Sequence, residues 1–555
     1  MPTIMKKTVI SAIAALFAAT TFAQTDSLNA VVKVENDYNP IIVKAVKQSF
    51  TPQIEMPTDN TPLDLVFSRT ATPFERFVSN RDLTNLLPTQ EAVYNGFARL
   101  GYGNCNNVDA KLGYRLDVSS KDVINIFASL TGFSTTLDGI TVDDWKSRFY
   151  DTWLTADYTH RFRGLSLNIL AGANNNVFNY QPVAPFTAAD TDKQNNNDFR
   201  LMARVKSHLA GPISYNANIG YQLHTRKYSS GMKERINENQ FTAGGEFAFE
   251  PDNETVRKFG INATLDAFTY NDALQPQFAD GYDNYLSVRT NPFMDFRFDT
   301  WKLHLGIHAD VLTANGKKFV VAPDVKFEGP ISDEITFYAN ATGGNRLNTF
   351  ASFNEQSPYW GYKEGDKQLT PTYDVFDVET GMRMGFEPFA IHLFVGYDYS
   401  KYNLLPTATF IHPTGLVYTD FAQDDTRKFY VGGKVSYDYS GWLNVTGDAR
   451  YNKWSCDGAD KLLLFTPMIE INAQARARLY EGLYFGLGYN YARYTKGGKE
   501  RIKNMNNLNT HISYKFHKQF NAYIQADNLL NKDYFSYAGY MAKGINFLAG
   551  VEYNF

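Results

Sequence analysis

The last eleven residues constrain the fold more than any other part of the chain. Ile545, Phe547, Ala549, Val551, Tyr553 and Phe555 alternate with Asn546, Leu548, Gly550, Glu552 and Asn554, and an aromatic residue comes last. Strand side chains point to opposite faces in turn, so period two makes one apolar wall and one more polar wall. The same pattern recurs upstream. Ile469, Ile471, Ala473, Ala475, Ala477 and Leu479 share a face, with Glu470, Asn472, Gln474, Arg476 and Arg478 on the other. Phe259, Ile261, Ala263, Leu265 and Ala267 stand opposite Asn262, Thr264 and Asp266. Strands of a soluble sandwich average about five or six residues. Many segments here exceed the ~9–11 residues of a membrane-crossing strand.

Composition supports this reading. Aromatic residues make up 15 % of the chain, with 36 Tyr and 42 Phe, and charged residues only 20 %. Tyr and Phe at strand ends are what the girdles of a membrane barrel require. After residue 23 nothing approaches the ~20 consecutive apolar residues of a membrane helix. A net charge of −4 offers no polybasic face, so nucleic acid is not an expected partner. Two cysteines, Cys105 and Cys456, make neither a disulfide framework nor a multi-cysteine metal site.

At the N-terminus, Lys6 and Lys7 precede the apolar run Val9 to Ala19, and Thr21-Phe22-Ala23 supplies small residues for cleavage. This reads as a signal peptide over residues 1–23. Residues 24–90 are rich in Pro, Thr, Asn and Asp and read as a short periplasmic or lumenal segment. Residues 91–555 read as an all-β, 22-stranded antiparallel transmembrane barrel. Its connections alternate in length. Arg163-Gly164, Pro388, Ser440-Gly441 and Glu481-Gly482 are tight, whereas Gln181 to Asn197, Asn348 to Thr372, Leu404 to Thr426 and Ser455 to Thr466 are long. Short periplasmic turns and long extracellular loops give that alternation and put both termini in the periplasm. The short connections near Asn104 and Ala314 break the rule without inverting it.

The run Asp527-Asn528-Leu529-Leu530-Asn531-Lys532-Asp533-Tyr534-Phe535 resembles the motif leaving the penultimate strand of TonB-dependent receptor barrels. With the strand count, the resemblance covers roughly residues 90 to 555. Val34-Glu35-Asn36-Asp37-Tyr38-Asn39-Pro40 and Gly101-Tyr102-Gly103-Asn104 look like a Bacteroidota-type branch of that family. The resemblance implies a bacterial outer-membrane location, with membrane lipid around the wall. Val551, Tyr553 and Phe555 look like the terminal signal read by the barrel-assembly machinery. The family carries a folded plug of well over a hundred residues before its barrel. Residues 24–90 are too few and too polar to build one. Ala30, Val31, Val32, Lys33 and Val34 form either a TonB-box-like strand or a simple tether.

Lys302, His304, His308 and Asp310 share the polar side of one strand and read as lumen lining. Histidines four apart on a strand lie roughly 13 Å apart, too far to share a metal. Arg476 and Arg478, with Lys434 and Arg450, read as a basic stripe in a lumen that Asp151, Asp157 and Asp266 make mixed in charge. Among catalytic motifs, neither G-x-S-x-G nor H-E-x-x-H occurs, and His412 alone in a loop makes no active site. The expectation is a non-enzymatic barrel without cofactor or metal. Two functions compete. One is solute transport across the outer membrane. The other is a structural subunit of a multi-protein complex, with TonB or other envelope proteins plugging or docking on the barrel.

Overall fold

A computed structural model describes residues 94–137, 145–182, 193–208, 211–227, 235–271, 282–361, 368–411 and 416–555. Twenty-two antiparallel strands form one closed wall. They are β1 Gly96–Gly103, β2 Val108–Asp117, β3 Asp122–Thr135, β4 Ser147–Arg161, β5 Leu165–Phe178, β6 Gln194–Ser207 and β7 Ile213–Arg226. The wall continues with β8 Ile236–Phe249, β9 Val256–Tyr270, β10 Tyr285–Phe298, β11 Trp301–Leu312, β12 Phe319–Pro330, β13 Ile335–Arg346 and β14 Thr372–Phe386. It ends with β15 Phe389–Ile411, β16 Leu416–Tyr439, β17 Leu443–Cys456, β18 Pro467–Tyr480, β19 Leu483–Tyr494, β20 Met505–Lys515, β21 Phe520–Asp527 and β22 Asn546–Asn554.

Each strand pairs with its neighbours in sequence, and β22 closes the ring onto β1. At that seam Gly96 and Phe555 exchange both backbone hydrogen bonds, each 2.9 Å. Gly101 lies opposite Gly550, and a Cβ on either would meet the Tyr523 hydroxyl at 2.3 and 2.5 Å. Closure is what makes a strand wall tolerable in lipid, because no backbone edge is left unpaired. The outward positions are apolar and exposed, among them Leu100, Leu154, Ile219, Phe247 and Val551. Inward positions such as Arg99, Asp109, Asp266 and Asp324 are polar and buried.

All 22 segments of alternating sequence are wall strands, but some limits move. β6 begins at Gln194, inside the connection Gln181 to Asn197 expected from the sequence. Turns at the end shared by β1's start and β22's finish are tight. Ser440 and Gly441 both have positive φ, 51° and 67°, the pairing that suits a two-residue hairpin turn.

The main correction concerns Leu404 to Thr426, expected as an irregular long loop. Most of it is strand. β15 and β16 continue past the wall as a two-stranded arm, paired from Asn403 opposite Asp424 to Ile411 opposite Leu416. Nine residue pairs make an arm ~30 Å long. A bulge between Ser400 and Asn403, with Tyr402 at φ 53°, marks its root. Bulges bend a strand away from its ladder. The arm's Leu416 and Val417 pair with Pro182 and Gln181, in the connection between β5 and β6. That connection lies ten strands around a ring of 22, so the arm spans the mouth.

Candidate functional site at the long-loop mouth

A second segment crosses the same opening. After β13 the chain forms α1, Phe350–Gln356, started by a capping box in which Thr349 accepts from the Ser352 backbone N–H. The first helical residue is tied to the far wall. Phe350 N–H donates to Glu238 Oε1 of β8 at 2.9 Å, and the Tyr270 hydroxyl of β9 donates to Oε2 at 3.0 Å. Asn354 donates to Asn176 Oδ1 of β5 at 2.7 Å and accepts from Asn196 of β6. Apolar burial adds to these bonds. Phe350, Phe353 and Trp360 pack with Phe268, Tyr270, Tyr282, Tyr285, Leu404 and Phe421 in one cluster.

Arg226, wholly buried on β7, organises the centre. Its guanidinium donates to the Tyr180 hydroxyl at 2.6 Å and to the Pro358 carbonyl at 3.3 Å, and lies 4.2 Å over the Trp360 ring. Tyr180 passes the connection on, donating to the Trp360 carbonyl at 3.1 Å. Burial pushes its hydroxyl up to about 12, so it stays a neutral donor. Thr419 of the arm fixes the other side. Its N–H donates to the Tyr359 carbonyl at 3.0 Å, and its carbonyl accepts from Gly361 N–H at 3.1 Å. Its hydroxyl donates to the Ala538 carbonyl at 2.9 Å and accepts from Ser357 at 2.7 Å. Tyr540, between β21 and β22, donates to the Val417 carbonyl at 2.7 Å and accepts from Gln181 N–H at 3.2 Å. Connections from four places on the ring thus meet over the opening, held by side-chain bonds and aromatic contacts.

The residues singled out in the sequence lie deeper. Lys302, His304, His308 and Asp310 are on β11. Lys302 pairs with Glu328 at 3.2 Å. His304 faces Asp295 at 2.5 Å through Nδ1 and Asp324 at 3.1 Å through Nε2. His308 reaches the same Asp324 oxygen at 3.9 Å. Although their backbone positions are far apart, the two imidazoles converge on one carboxylate of β12. Among the described residues no group of three or more His, Cys, Asp or Glu is arranged to hold a metal ion. Asp310 accepts from the Asn345 N–H at 2.8 Å. Acidic residues and amides interrupt the cations of β16–β18. Lys434 is in register with Asp448, Arg450 with Glu470 and Arg476 with Asn444. Arg450 lies 4.1 Å over the Tyr430 ring, Arg476 lies 5.6 Å over that of Tyr484, and Arg478 is exposed near the tight turns. Asp266 pairs with Arg289 at 2.7 Å. Val551 faces outward on β22, Tyr553 pairs with Phe520, and the Phe555 ring stacks 5.8 Å from Tyr114. Cys105 and Cys456 are free thiols. Ala30, Val31, Val32, Lys33 and Val34, residues 24–90 generally, and His412 lie outside the described residues.

Arg226, Glu238, Tyr180, Trp360 and Thr419 were not anticipated. They come from two wall strands, the arm and two connections, and no spacing in the sequence links them.

No protein-family model and no curated protein sequence matches the chain. Solved structures do. The FrpB iron transporter from Neisseria meningitidis aligns over 85 % of this chain and 83 % of its own, with TM-score 0.66 and 13 % identity. The siderophore receptor PirA from Acinetobacter baumannii aligns over 84 % and 81 %, with TM-score 0.63 and 10 % identity. The ferric enterobactin receptor PfeA from Pseudomonas aeruginosa gives 84 %, 81 %, 0.62 and 10 %. At such identities the likeness is one of fold. A ring of 22 strands closed by its last strand, a polar inner face and these neighbours give the chain the outer-membrane barrel fold of the TonB-dependent receptors.

Proposed function

We propose that this chain admits a polar solute across the outer membrane, and that the bridged mouth is its gate. The observation carrying the proposal is Arg226, which joins the wall to both Tyr180 and the Pro358–Trp360 segment without any covalent link. A mouth closed by hydrogen bonds and ring contacts can reopen when a ligand binds the open arrangement better. The similar solved structures, receptors and transporters of iron or its chelates, support the transport reading. On this reading the long-loop mouth faces outside the cell, and the tight turns and both termini face the periplasm. Residues 1–23 are removed as a signal peptide, and residues 24–90 form the periplasmic or lumenal segment, where TonB or another envelope protein would dock. The protein is not an enzyme on this reading.

The test is conductance and solute uptake by the full-length protein in planar bilayers and liposomes. Arg226→Ala should raise both above the native level. If the native protein and the variant pass no solute while a stoichiometric set of envelope proteins co-purifies, the barrel is a structural subunit and the transport reading falls.

A further inference from the structure

The outer wall carries a feature that neither the gate nor the lumen uses. Thr152, Asn175, Asn197, Thr225 and Asn237 lie on five consecutive strands, β4 to β8, and the register places each directly opposite the next. All five occupy outward positions, because their sequence neighbours Asp151, Asn176, Asn196, His224 and Glu238 are buried on the inner face. The row is hydrogen-bonded along itself. Asn175 donates to Asn197 Oδ1 at 2.5 Å, and Asn197 donates to Thr225 Oγ1 at 3.2 Å.

Two residues deeper the outward positions of β4 to β7 turn apolar, with Leu154 at 53 % and Phe199 at 43 % exposure, while β8 carries Asn239. The amide row therefore lies near the upper edge of the lipid-facing band, with Tyr150 and Val177 the outward residues just beyond it on β4 and β5. Elsewhere near this end of the wall the outward side chains include Tyr102, Tyr397, Phe429 and Tyr451, as an aromatic girdle would have it. In this sector a continuous row of amides and hydroxyls lies beneath Tyr150.

The cations beyond the row include Arg148, Lys193, Lys227 and Arg235. Arg235 donates to Asn195 Oδ1 at 3.3 Å, and Lys227 to the Lys193 carbonyl at 3.2 Å. The carboxylates of these strand ends, Asp151, Asp198 and Glu238, all face inward, where Asn174, His224 and Tyr270 contact them. Among the described residues, the outward face at the long-loop end of β4–β8 carries no acid.

We infer that this sector binds the phosphorylated saccharide headgroup of an outer-leaflet lipid. Charge complementarity selects the occupant. Cations at the rim meet phosphate, the amide and hydroxyl row meets sugar hydroxyls, and Leu154 and Phe199 beneath meet the acyl chains.

The experiment uses the full-length protein in mild detergent and two purified probes, bisphosphorylated lipid A and lipid A stripped of phosphate, with bound lipid counted by native mass spectrometry. The native protein should retain the bisphosphorylated form at least about tenfold better than the stripped form. The combined variant Arg148→Gln, Lys193→Gln, Lys227→Gln and Arg235→Gln should lose that preference, and Asn175→Leu with Asn197→Leu should weaken retention of both probes. Equal retention of the two lipids by the native protein overturns the inference, and that comparison needs no variant to fold. Undiminished retention by the fourfold variant overturns it as well. So does a co-purifying protein that the native sector holds in place of lipid and the fourfold variant releases.

Discussion

Tyr359 lies face to face on Tyr540, with ring centroids 3.7 Å apart and planes 9° from parallel. One ring belongs to the segment after β13 and the other to the connection between β21 and β22, so this single stack ties two distant sides of the wall. Both rings sit in the cluster with Phe149, Phe178, Tyr180 and Tyr418.

Tyr540→Phe keeps the stack and deletes its donor to Val417 and its acceptor for Gln181 N–H. Each lost bond is worth about 1 kcal/mol. The mouth should therefore open roughly ten- to thirtyfold more often, read as open probability in single-channel records. Tyr359→Ala removes the stack itself and should have the larger effect. Native gating in both variants would show that these contacts do not hold the mouth shut.

A disulfide between Ser357→Cys and Thr419→Cys should lock the mouth, since the two hydroxyl oxygens lie 2.7 Å apart. Cys105 and Cys456 are first replaced by Ser so that the new pair oxidises alone. The expected record is low conductance under oxidant, recovered on adding a thiol reductant. A bridged protein that conducts like the reduced one would mean that the gate lies elsewhere.

The closure should be insensitive to mild alkali. Burial raises Tyr180 to about 12 and puts Tyr540 well above the ordinary phenol value. A phenol whose value is raised in the closed state stabilises that state fully below its ordinary value near 10, and this stability is lost as pH rises through the raised one. Trp360 fluorescence and protease resistance of the mouth should hold to about pH 10 and fall between about 10 and 12. A transition centred near pH 8 would contradict the burial of these hydroxyls.

At the seam, Gly550→Val should block closure of the ring. A Cβ there meets the Leu100 carbonyl oxygen at 2.4 Å as well as the Tyr523 hydroxyl, and backbone cannot move aside as a flexible side chain does. The variant should lack the folded band that resists SDS without heating. Gly447→Ala, where a Cβ meets a backbone oxygen no nearer than 3.8 Å, is the control and should keep it.

The wall was legible because period two is a local property. Each strand's alternation can be read without its partner, and Ile469 to Leu479 or Ile545 to Phe555 declares its two faces alone. The arm escaped this reading because Leu404, Leu405, Leu416 and Tyr418 are all buried. A hairpin crossing a packed mouth is buried on both faces over much of its length, so its sequence loses alternation. The gate was illegible for a related reason. Arg226 acquires its role only when Tyr180, 46 residues before it, and Pro358, 132 residues after it, arrive at the same place. His304 and His308 share a strand, β11, but strand spacing alone could not show Asp324 drawing them together.

The arm rooted at the Ser400–Asn403 bulge is a continuation of two wall strands, and its far end is bonded to Gln181 and Pro182 across the ring. Mechanically it is a chord. A chord resists any oval distortion that lengthens its own diameter and goes slack when that diameter shortens. The cross-sectional shape of the barrel and the state of its mouth are therefore one variable, so lateral pressure from the membrane acts on the gate without touching it.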